Sequence, residues 1–338
     1  MRRHGLDLAF FPVLSVLLLL LSSGVVEAVP VVQVPDVSEP LQTILQNTDR
    51  SELYRYPTDL TRFIVPKAIH SHNDYWQDVV PFYKALSYGA MSIEGDVWFI
   101  NGTLYLGHDT SSLTPQRTLA SLYIDPILHV LQGANPPSPY AESLPTFRGV
   151  FDRDTEQTLY FVIDFKTKPE IGTLDAVLAA LEPLRLAGYL TTWRASNNSI
   201  VKGPITAIGT GEMNLASVLS QKPLRDLFYD SPLFNLTFEE NRNITGPEVS
   251  PLASGHFTEA FGKVTKADFF AQNETALKVL RDQLRVAHDK NVMVRYWEQP
   301  GWPIGTRNSI WRTFVDEGVD LLNIDDPEGC ASFWEGKG

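Results

Sequence analysis

The chain has 338 residues, 43% hydrophobic and 20% charged, a composition that excludes a wholly disordered polypeptide and suits one large domain or two ordinary ones. Twenty-eight basic against forty acidic residues leave a net charge of −12, which argues against nucleic acid or an anionic membrane as the main partner, since both call for clustered Lys and Arg. One cysteine, Cys330, excludes a disulfide framework and any CxxC zinc or redox motif.

Residues 1–28 read as a secretory signal peptide. Arg2, Arg3 and His4 form a basic start, residues 8–21 an apolar stretch, and Val26-Glu27-Ala28 a cleavage region with small residues. The apolar stretch falls short of the ~20 residues that span a bilayer, and no later run would form a transmembrane segment. A secreted, extracellular product is expected. Five sequons agree with export and make N-glycans expected at Asn101, Asn197, Asn235, Asn243 and Asn273. Residues 29–62 then read as an N-terminal arm with one short helix near 41–46, leaving 63–338 for the folded domain.

From residue 65 onward short β-branched runs alternate with helical patterns. Predicted strands fall at 65–69, 91–99, 159–165, 205–208, 227–229, 292–296 and 321–324, with an eighth near 254–257. Predicted helices fall at 78–88, 118–132, 174–187, 213–219, 267–290 and 308–317. Strand–helix repetition implies a parallel sheet with crossover helices, and eight units in this length suit a (β/α)₈ TIM barrel, α/β in class. A doubly wound sheet often carries a Gly-rich phosphate loop after its first strand; here only Gly209-Thr210-Gly211 offers one, and it comes late.

Barrel enzymes place their chemistry at the C-terminal strand ends. Here those ends read His70-Ser71-His72-Asn73-Asp74, Glu94-Gly95-Asp96, Asp164-Phe165-Lys166, Arg295-Tyr296-Trp297-Glu298 and Asn323-Ile324-Asp325-Asp326. Glu94 and Asp96, two apart on a strand, point to one face, and with Asp164 they offer hard oxygen ligands to Mg²⁺ or Ca²⁺. Ion pairing with Lys166 or Arg295 is the structural alternative for these acids. Asn101-Gly102 between alternating strand residues predicts a hairpin that returns His108 to the level of the carboxylates. Strict register sets His108 opposite Gly95, away from the acids, so its use in catalysis requires a break in pairing near Gly107. His70 and His108 are the candidate acid and base beside the metal.

These residues carry a resemblance. His70, Glu94-Gly95-Asp96, Leu106-Gly107-His108-Asp109 and Asp164-Phe165-Lys166 resemble the phospholipase-C-like phosphodiesterase superfamily, which includes glycerophosphodiester phosphodiesterases and sphingomyelinase D enzymes. Ala68-Ile69-His70-Ser71-His72-Asn73-Asp74-Tyr75 and Leu322-Asn323-Ile324-Asp325-Asp326 are most similar to its "altered inheritance of mitochondria" branch. The resemblance spans roughly 65–327 and implies a barrel that hydrolyses, or cyclises, a phosphodiester of a lipid or lipid-derived head group. It implies Glu94, Asp96 and Asp164 as metal ligands, His70 and His108 as the acid/base pair, Lys166 facing the phosphate and Trp297 lining a head-group pocket. Ser71-His72 stands where glycerophosphodiesterases carry Arg-Gly, and Asp-Phe-Lys is closer to the sphingomyelinase D pattern. Two other readings compete: an amidohydrolase-like barrel using His70-Ser71-His72 and His256 to hold zinc or manganese, and a secreted binding barrel without turnover.

Overall fold

The computed structural model describes residues 60–77, 80–140, 147–167 and 172–336. The signal peptide, the arm to residue 59 and its short helix lie outside the described residues. In chain order the strands are β1 (Lys67–Ser71), β2 (Ala90–Ile100), β3 (Thr103–Leu106), β4 (Leu159–Phe165), β5 (Thr192–Arg194), β6 (Ser199–Val201), β7 (Ile205–Gly211), β8 (Leu224–Arg225), β9 (Leu227–Pro232), β10 (Leu252–His256), β11 (Met293–Trp297) and β12 (Leu322–Ile324).

Eight of them run parallel in the order β11-β10-β9-β7-β4-β2-β1-β12. A parallel bridge from Arg295 to Leu321 joins the two ends, with the Leu321 N–H donating to the Val294 carbonyl at 3.2 Å. The predicted barrel is therefore the observed one, including the eighth strand.

The period of two along each strand divides the barrel interior into layers. Val162, Ile208, Phe228, Leu252 and Leu321 form a separate buried apolar cluster. Two residues further along the same strands stand Asp164, Thr210, Asp230, Ser254 and Asn323. An apolar plug thus supports a polar layer at the C-terminal mouth. The larger core lies among strands and helices and includes Ile93, Phe161 and Val294.

The outer helices bury one stripe each, as helix Glu274–His288 shows with Ala276, Leu280, Leu284 and Ala287. Three predicted helices differ in their bounds for local reasons. The 267–290 pattern divides at Asn273, whose Oδ1 accepts the Ala276 N–H at 3.0 Å and caps the longer piece. The 174–187 pattern divides at Leu181, two residues before Pro183. The 118–132 pattern opens as a π-helical turn, Ala120–Ile124, ahead of Pro126.

Elements that escape the sequence pattern include helix Asp74–Gln77, the small antiparallel sheet β6-β5-β8, helix Phe257–Phe261 and helix Pro327–Trp334. No helix of the described residues is long and apolar enough to cross a membrane.

Candidate active site

Ser92, Glu94 and Asp96 share the inward face of β2, and Asp164 sits beside Asp96 in register on β4. One ligand atom from each of Glu94, Asp96 and Asp164 can be chosen so that all lie within 4.8 Å of one another. Asp96 Oδ1 and Asp164 Oδ1 are buried without a hydrogen-bond partner, a costly state for carboxylate oxygens. Three hard oxygen donors with two such atoms fit a divalent cation.

Cationic side chains hold this cluster from two sides. Lys166 Nζ lies 2.6 Å from Asp164 Oδ2 and 3.0 Å from Asp96 Oδ2. Arg295, fully buried, donates from Nη1 to Glu94 Oε2 at 2.7 Å and from Nε to Ser254 Oγ at 2.9 Å. The ion pairs weighed from sequence are therefore present, and they leave carboxylate oxygens free.

The acids respond differently. Burial works to raise the Glu94 pKa, but His72, Arg295 and His70 bring it well below the usual range. Burial, with Glu94 and Asp164 nearby, pushes Asp96 up to about 7 against the pull of Lys166. Asp164 is raised too, by burial and Glu94. A cation bound here would favour the ionised form of both acids and so oppose these upward shifts.

The histidines divide in a way the sequence did not show. His70 Nε2 lies 2.6 Å from Glu94 Oε2 and 2.5 Å from Arg295 Nη1, while Nδ1 lies 2.7 Å from Ser92 Oγ. Burial and Arg295 lower its pKa to about 3, so the ring stays neutral. It is 0% exposed and does not line the cavity. His70, expected from sequence as half of the acid/base pair, stands behind Glu94 and away from the cavity.

His72, just past β1, takes the cavity position. Its Nδ1 lies 2.7 Å from Asp325 Oδ1 and its Nε2 4.0 Å from Glu94 Oε1. Burial opposes protonation, yet Glu94 and Asp325 raise its pKa overall.

His108 reaches the same cavity by the required break. The hairpin pairs Ile100 with Thr103 through to Val97 with Leu106, turning on Asn101 and Gly102 with φ of 50° and 83°. After Leu106 the ladder ends, and Trp98 Nε1 donates to the Gly107 carbonyl at 2.8 Å. A Cβ on Gly107 would lie 2.5 Å from Ser112 Oγ and 2.7 Å from Leu113 Cδ2, so a side chain here would require those two side chains to move. His108 Nδ1 then stands 3.7 Å from Asp96 Oδ2, its ring stacked on exposed Trp76 at 5.4 Å.

Glu94, Asp164, His72 and His108 line a cavity of about 740 Å³. Lys166 and Trp297 line it, Trp297 packing edge-on against His256 at 4.4 Å. His256 itself pairs with Glu298 at 2.8 Å, and the acidic trio is the metal-ligating group found among the described residues. The arrangement of His70, His72 and His256 as a joint metal site is not formed.

Comparison with known proteins places the chain. The model of the AIM6-like phosphodiesterase domain matches residues 58–230. The "altered inheritance of mitochondria protein 6 homolog" of Arthroderma benhamiae is 47% identical over 321 residues, covering 93% of this chain and 99% of that protein. The chain belongs to the AIM6-like phosphodiesterase family. Its relatives include "altered inheritance of mitochondria protein 6" of Eremothecium gossypii, 34% identical over 81% of this chain and 71% of that protein. Among solved structures, a phosphatidylinositol-specific phospholipase C from Listeria monocytogenes aligns with a TM-score of 0.44 at 10% identity, covering 82% of this chain and 93% of the other.

Two cavity-lining residues stand differently from their place in the sequence: Asp230 is not among its candidates, and His72 enters there only as a metal ligand in the amidohydrolase-like reading. Asp230 follows the predicted strand 227–229 and shares the inward face with Phe228. His72 lies two residues past His70, on the same inward side. The signal for both was strand alternation carried one step beyond the predicted end.

Proposed function

We propose that this chain is a secreted, divalent-metal-dependent phosphodiesterase acting on a lipid or lipid-derived head group, with His72 and His108 as its acid/base pair. One observation carries the reading. Three carboxylates, two of them with unpartnered oxygens, converge beside Lys166 at a cavity that Glu94, Asp164 and two histidines line.

Glu94, Asp96 and Asp164 would hold the cation, Mg²⁺ or Ca²⁺ by their donor type. When bound, it supplies Lewis acidity toward a non-bridging phosphate oxygen. Lys166 adds positive charge on the same group. His108 removes the proton of the attacking hydroxyl, and His72, raised in pKa and held by Asp325, gives a proton from Nε2 to the leaving oxygen. His70 and Arg295 hold Glu94 from behind.

Export is part of the proposal. Asn101, Asn197 and Asn243 are exposed and suit N-glycans, whereas Asn235 and Asn273 are partly covered.

Hydrolysis of bis(p-nitrophenyl) phosphate by purified protein, with EDTA and metal add-back, tests the reading. Turnover lost in EDTA and restored by Mg²⁺ or Ca²⁺ supports it. Absence of turnover under every metal condition overturns it.

A further inference from the structure

Asn73 is a buried side chain that neither the metal cluster nor the acid/base pair uses, and it lines the cavity. It stands two residues past the end of β1 with a left-handed backbone, φ 52°, which asparagine tolerates better than most residues. In the barrel β1 and β4 are the two parallel neighbours of β2, so Asn73 and Lys166 flank the carboxylates of β2 from opposite sides.

The amide has a fixed sense. Tyr75, itself buried, donates from its hydroxyl to Asn73 Oδ1 at 3.0 Å. The same hydroxyl is within reach of Asp96, which sets the Asn73 amide one phenol away from the acidic trio. With Oδ1 held by Tyr75, Nδ2 faces His72, 3.2 Å from its Nδ1 and 3.3 Å from its Nε2. Nδ1 is also 2.7 Å from Asp325 Oδ1, so at most one ring nitrogen can accept from the amide. An amide nitrogen carries two N–H groups, and the His72 ring is the partner it has among the described residues. One donor is left for what the cavity receives.

The placement gives the chemistry of that acceptor. A tetrahedral phosphate seated at the carboxylates presents oxygens both ways, toward Lys166 on the β4 side and toward Asn73 on the β1 side. We infer that Asn73 is a substrate-binding residue whose Nδ2 donates a hydrogen bond to a non-bridging oxygen of the phosphodiester, with Tyr75 as the positioning residue that fixes the amide. The inference rests on the phosphodiesterase reading above and adds a neutral donor to its site.

The test uses the full-length protein with Asn73→Gly, Tyr75→Phe and the double variant. Glycine removes the amide while suiting the left-handed backbone. Calorimetry with dimethyl phosphate at saturating Mg²⁺ or Ca²⁺ reads the contact. Asn73→Gly is expected to bind about 10- to 100-fold more weakly than wild type, the loss of one hydrogen bond to a charged group, and Tyr75→Phe about 2- to 10-fold more weakly. The double variant should bind no more weakly than Asn73→Gly, because the hydroxyl acts through the amide.

Equal affinity of wild type and Asn73→Gly would mean that the amide serves only an ordered water and would overturn the inference. A matching loss of metal affinity in Asn73→Gly would also overturn it, since the residue would then act through the acidic cluster. Additive losses in the double variant would remove the role given to Tyr75. Turnover of bis(p-nitrophenyl) phosphate separates this inference from the enzymatic reading. If no turnover is found but wild type binds dimethyl phosphate and Asn73→Gly binds it at least about tenfold more weakly, the phosphate contact stands while the enzymatic reading falls. Unchanged kcat/KM in Asn73→Gly on an active enzyme overturns the contact and leaves the enzymatic reading intact.

Discussion

His70 Nε2 lies 2.6 Å from Glu94 Oε2, and this contact turns the first histidine of the Ala68–Tyr75 motif away from the cavity. Its neighbour two residues on, His72, faces the cavity instead. His72→Ala and His108→Ala are therefore expected to lower kcat by about 10²–10⁴-fold at saturating metal. His70→Ala should instead weaken metal affinity by about 10–100-fold, as outer-shell substitutions do, with kcat largely recovered when metal is raised. Titrating activity with Mg²⁺ or Ca²⁺ for the three variants reads the difference.

Gly211 has φ +69°, and a Cβ there would stand 1.9 Å from Asp164 Oδ1 and 2.8 Å from the Phe165 carbonyl. No rotamer relieves a clash with a Cβ. Gly211→Ala is expected to displace the Asp164 carboxylate, reducing metal affinity by at least about tenfold and stability by about 1–3 kcal/mol. Calorimetric metal binding and thermal melting measure the two effects; a variant equal to wild type in both would contradict this geometry.

Asp96, pushed up to about 7 by burial, Glu94 and Asp164, is partly protonated near neutrality in the metal-free protein. A cation must displace that proton, so affinity is expected to rise about tenfold per pH unit below 7 and level off above. Binding isotherms at pH 6, 7 and 8 check the slope.

The acid limb of stability carries a signature of His70. Its folded-state pKa is about 3 against an ordinary 6.5, so between those values the unfolded chain binds the extra proton. Its contribution is fully present above pH 6.5 and is lost as pH falls toward 3. His70→Gln should flatten the difference in melting temperature between pH 7 and 4 relative to wild type, measured in EDTA.

Cys330 is 0% exposed, and burial pushes its thiol up to about 12. At pH 8 it is neutral and inaccessible, so a thiol-reactive disulfide reagent should label it only at the rate of unfolding. Labelling kinetics against urea then report the stability of the barrel. Immediate labelling in buffer would show helix Pro327–Trp334 to be open.

The hydrophobic alternation alone determined the barrel. Each strand needs two covered faces and each helix one, and eight such units without an early Gly-rich phosphate loop favour the closed barrel over a doubly wound sheet. The same alternation set Glu94 with Asp96, and the Asn101-Gly102 turn carried His108 back to them. What the chain order could not carry was which imidazole meets the cavity. That depended on Arg295, 225 residues beyond His70, filling the space behind Glu94, and on Asp325 taking hold of His72 across 253 residues. Ring closure brings β11 and β12 beside β1, and only there does the competition for one carboxylate oxygen arise. Local periodicity fixes which face a side chain takes; the packing of distant strands fixes what that face meets.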